Sequence, residues 1–311
     1  MTRVALLFAG QGAQVPGMGK DLAERYPELF EKTRVAADGL GVDLVKTCFE
    51  GPEERLTQTE FAQPGIVWTS WLALECLRHE LPEFTFDLCA GLSLGEFAAL
   101  AASESIGFPQ AIELVRLRGR LMQEACDQTS GGMAAIIGLS REDTQAICDE
   151  TGIELANLNC PGQIVISGVS EGIAKASELA KERGAKRAIP LNVAGAYHSK
   201  LMAEAGQRLG EALNAIPFKE TQIPVISNVD AQPHGPVDSI RDKLTRQVTS
   251  PVLFEDSIRA MAQQGIDLFV ELGPGRALSG FVKKVDRSLA TLNVADGDSL
   301  DATVAALRAR T

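Results

Sequence analysis

The stretch from Phe86 to Ala102 constrains the fold most. An apolar run, Phe86 to Ala90, enters Gly91-Leu92-Ser93-Leu94-Gly95, and helix-forming sequence resumes from Leu94 to Ala102. Strand, sharp turn, helix is the unit from which α/β domains with a parallel sheet are built. A second apolar run, Arg3 to Ala9, feeds the glycine-rich loop Gly10-Gln11-Gly12-Ala13-Gln14 and reads as another buried strand. Helical segments then run to about residue 81. Further on, helices at Lys200 to Ala215, Asp238 to Thr249 and Leu253 to Gln264 alternate with short apolar strands at Pro224 to Ser227, Asp267 to Glu271 and Leu289 to Asn293. A large α/β domain is expected from residues 1–130 and 196–311.

The intervening residues, 131–195, follow a different order. A helix from Pro109 to about Cys126 closes at Ser130-Gly131-Gly132, which is expected to break the chain at a domain boundary. Strand Met133 to Leu139, helix Arg141 to Glu150, strands Ile153 to Leu158 and Gln163 to Val169, helix Glu171 to Arg183 and strand Ala185 to Pro190 follow. This βαββαβ order is that of a ferredoxin-like unit, with Asn159-Cys160-Pro161-Gly162 as its central turn. The expected class is α/β: a large, α/β-hydrolase-like domain with a parallel-sheet core and a small inserted ferredoxin-like domain.

Bulk properties exclude several functions. The net charge of -11 argues against general nucleic-acid binding, which needs a basic surface to neutralise phosphates. No apolar run reaches the roughly 18 to 20 residues of a membrane span, and Val4 to Ala9 is too short for a signal-peptide core. The six cysteines form no CxxC pair and read as reduced packing residues, so a cytoplasmic location is expected. Gly10-Gln11-Gly12 lacks the third glycine of a dinucleotide loop at the required spacing, and no GxxxxGK[ST] occurs, so nucleotide binding is not expected.

Gly91-Leu92-Ser93-Leu94-Gly95 fits G-x-S-x-G in the strand–turn–helix context that a nucleophile elbow requires, although a bare pentapeptide also fits an ordinary glycine-rich turn. A serine hydroxyl needs a base, and three histidines are available. His79 lies at a charged helix end and His234 in the turn Gln232-Pro233-His234-Gly235, where solvated or turn roles fit better. His198, in Gly195-Ala196-Tyr197-His198-Ser199, sits at a loop-to-helix entry suited to a catalytic side chain, or to a plain helix start. On the helix Ile112 to Ala125, Arg118 falls among Leu114, Val115, Leu117, Leu121, Met122 and Ala125, whereas Arg116 and Arg120 project away. A guanidinium on an apolar stripe demands an anion: either a protein carboxylate or the carboxylate of a substrate.

With these residues in view, the chain resembles the malonyl-CoA:acyl carrier protein transacylases of fatty-acid synthesis and the acyltransferase domains of polyketide synthases. The resemblance runs nearly full length. It rests on Phe8-Ala9-Gly10-Gln11-Gly12, Gly91-Leu92-Ser93-Leu94-Gly95-Glu96, Leu117-Arg118-Gly119, Ala156-Asn157 with Pro161-Gly162-Gln163, Gly195-Ala196-Tyr197-His198-Ser199, Arg246-Gln247 and Glu271-Leu272-Gly273-Pro274-Gly275. It implies Ser93 as nucleophile, His198 as base, Arg118 as partner of the malonyl carboxylate, Gln11 and Leu94 as main-chain oxyanion donors, and Gln247 as the residue whose carbonyl orients His198. Tyr197, Met122 and Asn159 are then expected against the substrate, with Tyr197 pointing to malonyl rather than methylmalonyl. The family usually has His where this chain has Leu92.

The implied chemistry is ping-pong transfer from malonyl-CoA to the phosphopantetheine thiol of an acyl carrier protein, with no metal or other cofactor. Carrier proteins are acidic, so Arg276, Lys283, Lys284 and Arg287 form the expected docking patch, the alternative being a solvated helix face. Coenzyme A is the other expected partner. The competing readings are a serine thioesterase or hydrolase, a stand-alone polyketide acyltransferase, and an idle carrier-binding scaffold.

Overall fold

The computed structural model describes residues 2–310. The chain opens with β1 (Val4–Phe8), followed by α1 (Lys20–Arg25), α2 (Pro27–Asp38), α3 (Leu44–Glu50), α4 (Glu53–Leu56) and α5 (Thr59–Glu80). Then come β2 (Leu88–Gly91), α6 (Gly95–Ala102) and α7 (Phe108–Gln128). A second group comprises β3 (Gly131–Ile137), α8 (Arg141–Thr151), β4 (Glu154–Cys160), β5 (Gln163–Val169), α9 (Ser170–Glu182) and β6 (Arg187–Pro190). The remainder holds α10 (Ala203–Asn214), β7 (Val225–Ile226), α11 (Val237–Gln247), α12 (Phe254–Gln263), β8 (Leu268–Leu272), α13 (Ala277–Val285), β9 (Ala290–Val294) and α14 (Gly297–Arg308).

Five strands form a parallel sheet in the order β7-β2-β1-β8-β9. Every residue of β1 is buried, and its side chains alternate between two cores: Ala5 and Leu7 pack with Phe254, Ile258 and Phe269, while Leu6 and Phe8 join the larger core with Trp68 and Phe97. A strand that is apolar on both faces needs helices on both sides, which is why it reads as a continuous run. The C-terminal ends of β1 and β2 therefore open together, carrying the Gly10–Gln14 loop and the Ser93 turn to one rim.

The second sheet is antiparallel, in the order β4-β5-β3-β6. With sequence order βαββαβ, this is the expected ferredoxin-like arrangement. Helices α8 and α9 cover one face with a core of its own, including Ala134, Ile136, Ile147, Ile166 and Ala176. Ser140 caps α8 by accepting the Asp143 N–H at 3.0 Å, which contributes about 1 kcal/mol. Two expectations are corrected here. The helix ends at Gln128, just before Ser130-Gly131-Gly132, but β3 begins at Gly131 rather than Met133, and a Cβ on Gly131 would lie 2.8 Å from that of Ala196. The central turn is Pro161–Gly162 alone, so Asn159 and Cys160 belong to β4.

The helices α13 and α14 carry the C-terminal part of the fold. Glu271, at the end of β8, fixes the start of α13 by accepting the N–H groups of Leu278 at 3.0 Å and Ser279 at 2.7 Å. None of the described helices is long and apolar enough to cross a membrane.

Candidate active site

Ser93 stands between β2 and α6 with φ of 53°, the left-handed region that costs a non-glycine residue about 1–3 kcal/mol. The flanking glycines make this turn possible, because a Cβ on Gly91 would collide with the Gly95 backbone and one on Gly95 with the Phe8 carbonyl. The strain is held by Asn228, whose Oδ1 accepts the Ser93 N–H at 2.7 Å and whose Nδ2 donates to the Gly91 carbonyl at 2.7 Å.

His198 is also left-handed, with φ of 57°, and buried. Its Nε2 lies 2.8 Å from Ser93 Oγ and its Nδ1 2.8 Å from the Gln247 main-chain oxygen. A carbonyl only accepts, so Nδ1 carries the hydrogen and Nε2 keeps its lone pair for the serine hydroxyl. Burial, reinforced by the Arg118 charge, holds the imidazole down at about 4, so it is neutral near pH 7. The other two histidines differ. His79 is exposed and meets the Tyr26 ring edge-on, whereas His234 is not a solvated turn residue: it is buried, with Nε2 2.7 Å from Glu96 Oε1.

Arg118 is 1% exposed. Its NH1 donates to Gln63 Oε1 at 2.7 Å, and its NH2 donates to Ser93 Oγ at 2.9 Å and Gln247 Oε1 at 3.1 Å. Nε has no partner. Among the described residues no carboxylate lies within 4.0 Å of the guanidinium, so the ion-pair alternative does not hold. Burial pushes its pKa down to about 10, offset in part by the field of Glu96. A buried cation facing only neutral acceptors is an incomplete site for an anion.

A cavity of about 670 Å³ opens over Ser93 and His198. Gln11, Tyr197, Met122 and Asn159 line it, as do Leu92 and, from α13, Leu278 and Phe281. Arg118, Leu94 and Gln247 do not reach its wall, and lie behind the serine. The Tyr197 hydroxyl is fixed 2.6 Å from Thr59 Oγ1. Asn159 Oδ1 is buried without a partner. No group of three or more His, Cys, Asp or Glu residues is placed to hold a metal ion among the described residues.

Residues 5–304 match the acyl transferase domain family. The malonyl CoA-acyl carrier protein transacylase of Bacillus subtilis is 45% identical over 99% of this chain and 98% of its own length. The chain belongs to the malonyl CoA-acyl carrier protein transacylase family. A crystal structure of the transacylase from Clostridium perfringens superposes with a TM-score of 0.94 at 40% identity, covering 99% of this chain and 98% of that one. Another malonyl-transacylase, solved in complex with its type II PKS acyl-carrier protein, gives 0.94 at 38% identity over 98% of this chain and 100% of that one.

Within this transacylase framework, Leu92 leaves the elbow intact. Its side chain packs toward the core beneath β8 and against Gly10, where a Cβ would come 2.9 Å from Leu92 Cδ2. Four polar residues at the site were not found from sequence: Gln63, Glu96, Asn228 and, as a buried partner, His234. Glu96 ends the quoted elbow motif and was the nearest to a readable signal.

Proposed function

We propose that this transacylase moves a malonyl group from malonyl-CoA to the phosphopantetheine thiol of an acyl carrier protein, serving fatty-acid synthesis. Ser93 Oγ attacks the thioester carbonyl while His198 Nε2 takes its proton. The main-chain N–H groups of Gln11 and Leu94, neither of which has a partner among the described residues, hold the developing oxyanion. The CoA thiolate leaves with the proton from His198, giving malonyl-Ser93. The carrier thiol then attacks this ester, His198 takes the thiol proton, and Ser93 departs reprotonated.

The observation that carries this reading is Arg118: a buried guanidinium bonded to the nucleophile and lacking a carboxylate partner. A malonyl carboxylate would take the place of neutral acceptors on its fork, a bidentate and charge-assisted exchange. A neutral acyl group leaves the cation as it stands. Tyr197, Met122 and Asn159 are proposed to contact the bound acyl and pantetheine groups from the cavity wall.

The carrier protein is proposed to dock beside α13, where exposed Lys283 and Lys284 on the helix and Arg276 and Arg287 at its two flanks lie next to the cavity-lining Leu278 and Phe281. Lys283 is committed in part to its own turn, donating to the Leu289 carbonyl at 2.6 Å. Lys284, 3.1 Å from the cavity-lining Gln163, is the better docking candidate. Residues 131–195 are proposed as an inserted unit, a reading supported by the separate core under α8 and α9.

The test is transfer from malonyl-CoA, acetyl-CoA and methylmalonyl-CoA to a purified carrier protein, with free acid followed in parallel. Malonyl-carrier protein should be the main product. Free malonate as the main product would make the protein a hydrolase, and no turnover of any thioester would make it a scaffold.

A further inference from the structure

Glu96, the second residue of α6, is fully buried and is not used by the acyl-transfer steps. Three donors converge on its carboxylate. Oε2 accepts the Asn228 main-chain N–H at 2.9 Å and Gln247 Nε2 at 2.9 Å, and Oε1 meets His234 Nε2 at 2.7 Å. A carboxylate out of water is tolerated only when its oxygens are satisfied in this way.

Two of these donors lead directly to the reacting atoms. Because the carboxylate only accepts, the Gln247 amide must turn its NH2 toward Glu96, which leaves Oε1 for Arg118 at 3.1 Å. The same residue presents the main-chain oxygen that receives His198 Nδ1–H. Asn228 brackets the elbow through the Ser93 N–H and the Gly91 carbonyl. The third donor, His234, has an Nδ1 that is buried and unpartnered, which assigns the hydrogen to Nε2 and the donated bond to Glu96. Its loop is held in turn by Lys243, which donates to the Pro233 carbonyl at 3.2 Å and pairs with Asp230 at 2.9 Å.

We propose that Glu96, backed by His234, is a positioning residue for acyl transfer, fixing the Ser93 elbow through Asn228 and the His198 contact through Gln247. The proposal rests on the assignment of Ser93 and His198 above. A carboxylate that merely fills the core would affect stability alone, whereas a positioning residue affects the acylation rate of folded protein.

The polarity of the network provides the test. In Glu96→Gln the side-chain carbonyl can still accept from Asn228 and Gln247, but its NH2 then faces His234 Nε2, which receives it only after the ring moves its hydrogen to the buried, unpartnered Nδ1, and the negative charge that gathers the three donors is gone. The acylation rate at saturating malonyl-CoA, followed by the mass of the Ser93 adduct, should fall about 10-fold in folded protein, with the KM for malonyl-CoA within about 2-fold. Adding His234→Gln places a carbonyl opposite that NH2 and should recover most of the lost rate. Should Glu96→Gln fail to fold, His234→Leu, which removes one donor, carries the same expectation of a slower adduct at constant KM. Folded variants that acylate at the unsubstituted rate overturn the proposal while leaving the Ser93 assignment in place. No Ser93 adduct in the unsubstituted protein would overturn both.

Discussion

Every residue of β1, β2 and β8 in the parallel sheet is buried, whereas the antiparallel sheet covers one face with α8 and α9 and turns the other to the cavity through Met133, Ala135, Val165, Asn157 and Asn159. The difference separates two tasks. A sheet clamped on both faces can hold strained turns at its rim, and Ser93 with its left-handed backbone sits at such a place. A sheet whose second face joins the main core and borders the cavity supplies a wall whose side chains touch a ligand without touching the reacting bond. Substitutions at the parallel rim should therefore change rates, and those on the antiparallel face should change apparent affinity.

The largest effect is expected from Ser93→Ala, which should lower malonyl transfer by at least about 10⁴-fold and abolish the acyl-enzyme. Arg118→Ala should lower malonyl transfer by about 10²- to 10³-fold and acetyl transfer far less; equal losses would detach Arg118 from the acyl carboxylate. The pH profile sharpens the same point. With the His198 pKa held at about 4, the base stays neutral down to mildly acidic pH, and acylation should fall only as pH drops toward that value. A neighbouring cation disfavours the imidazolium, so Arg118→Gln should raise the His198 pKa and move the acidic limb to higher pH. An unmoved limb would contradict the coupling.

On the opposite wall, Asn159→Ala should raise the KM for malonyl-CoA about 5-fold, equivalent to one lost hydrogen bond of about 1 kcal/mol, with the acylation rate retained. A rate loss as large as that of Arg118→Ala would erase the distinction between rim and wall. Lys284→Glu should give the smallest effect, about a 3-fold rise in the KM for carrier protein with that for malonyl-CoA unchanged.

The legible parts of this molecule were those with local signals. The elbow announced itself through two glycines flanking a serine between an apolar run and a helix former, and the small sheet through its order of short periodic segments. Arg118 was legible because one charged residue broke an apolar stripe at helical spacing. What escaped was polar and distant in sequence: Asn228 meets Ser93 across 135 residues, and Glu96 meets Gln247 across 151. No periodicity links such pairs. His234 follows the same rule: Pro233 and Gly235 suggest a turn, but the segment runs back along β7, with the His234 N–H on the Val225 carbonyl at 2.8 Å, and delivers the imidazole to a buried carboxylate. Gly131 and Gly132 mark the end of α7 in the sequence, but that they also open β3, with Gly131 held close to Ala196, depends on a contact with distant chain that no local pattern records.

The most direct measurement is the intact mass of the protein after brief exposure to malonyl-CoA without carrier protein, followed by localisation of the added group. A malonyl adduct on Ser93 that disappears when carrier protein is added, with the group recovered on its thiol, is the predicted result. Malonyl-CoA consumed with the group on another residue, or released as malonate with no transfer, would contradict it.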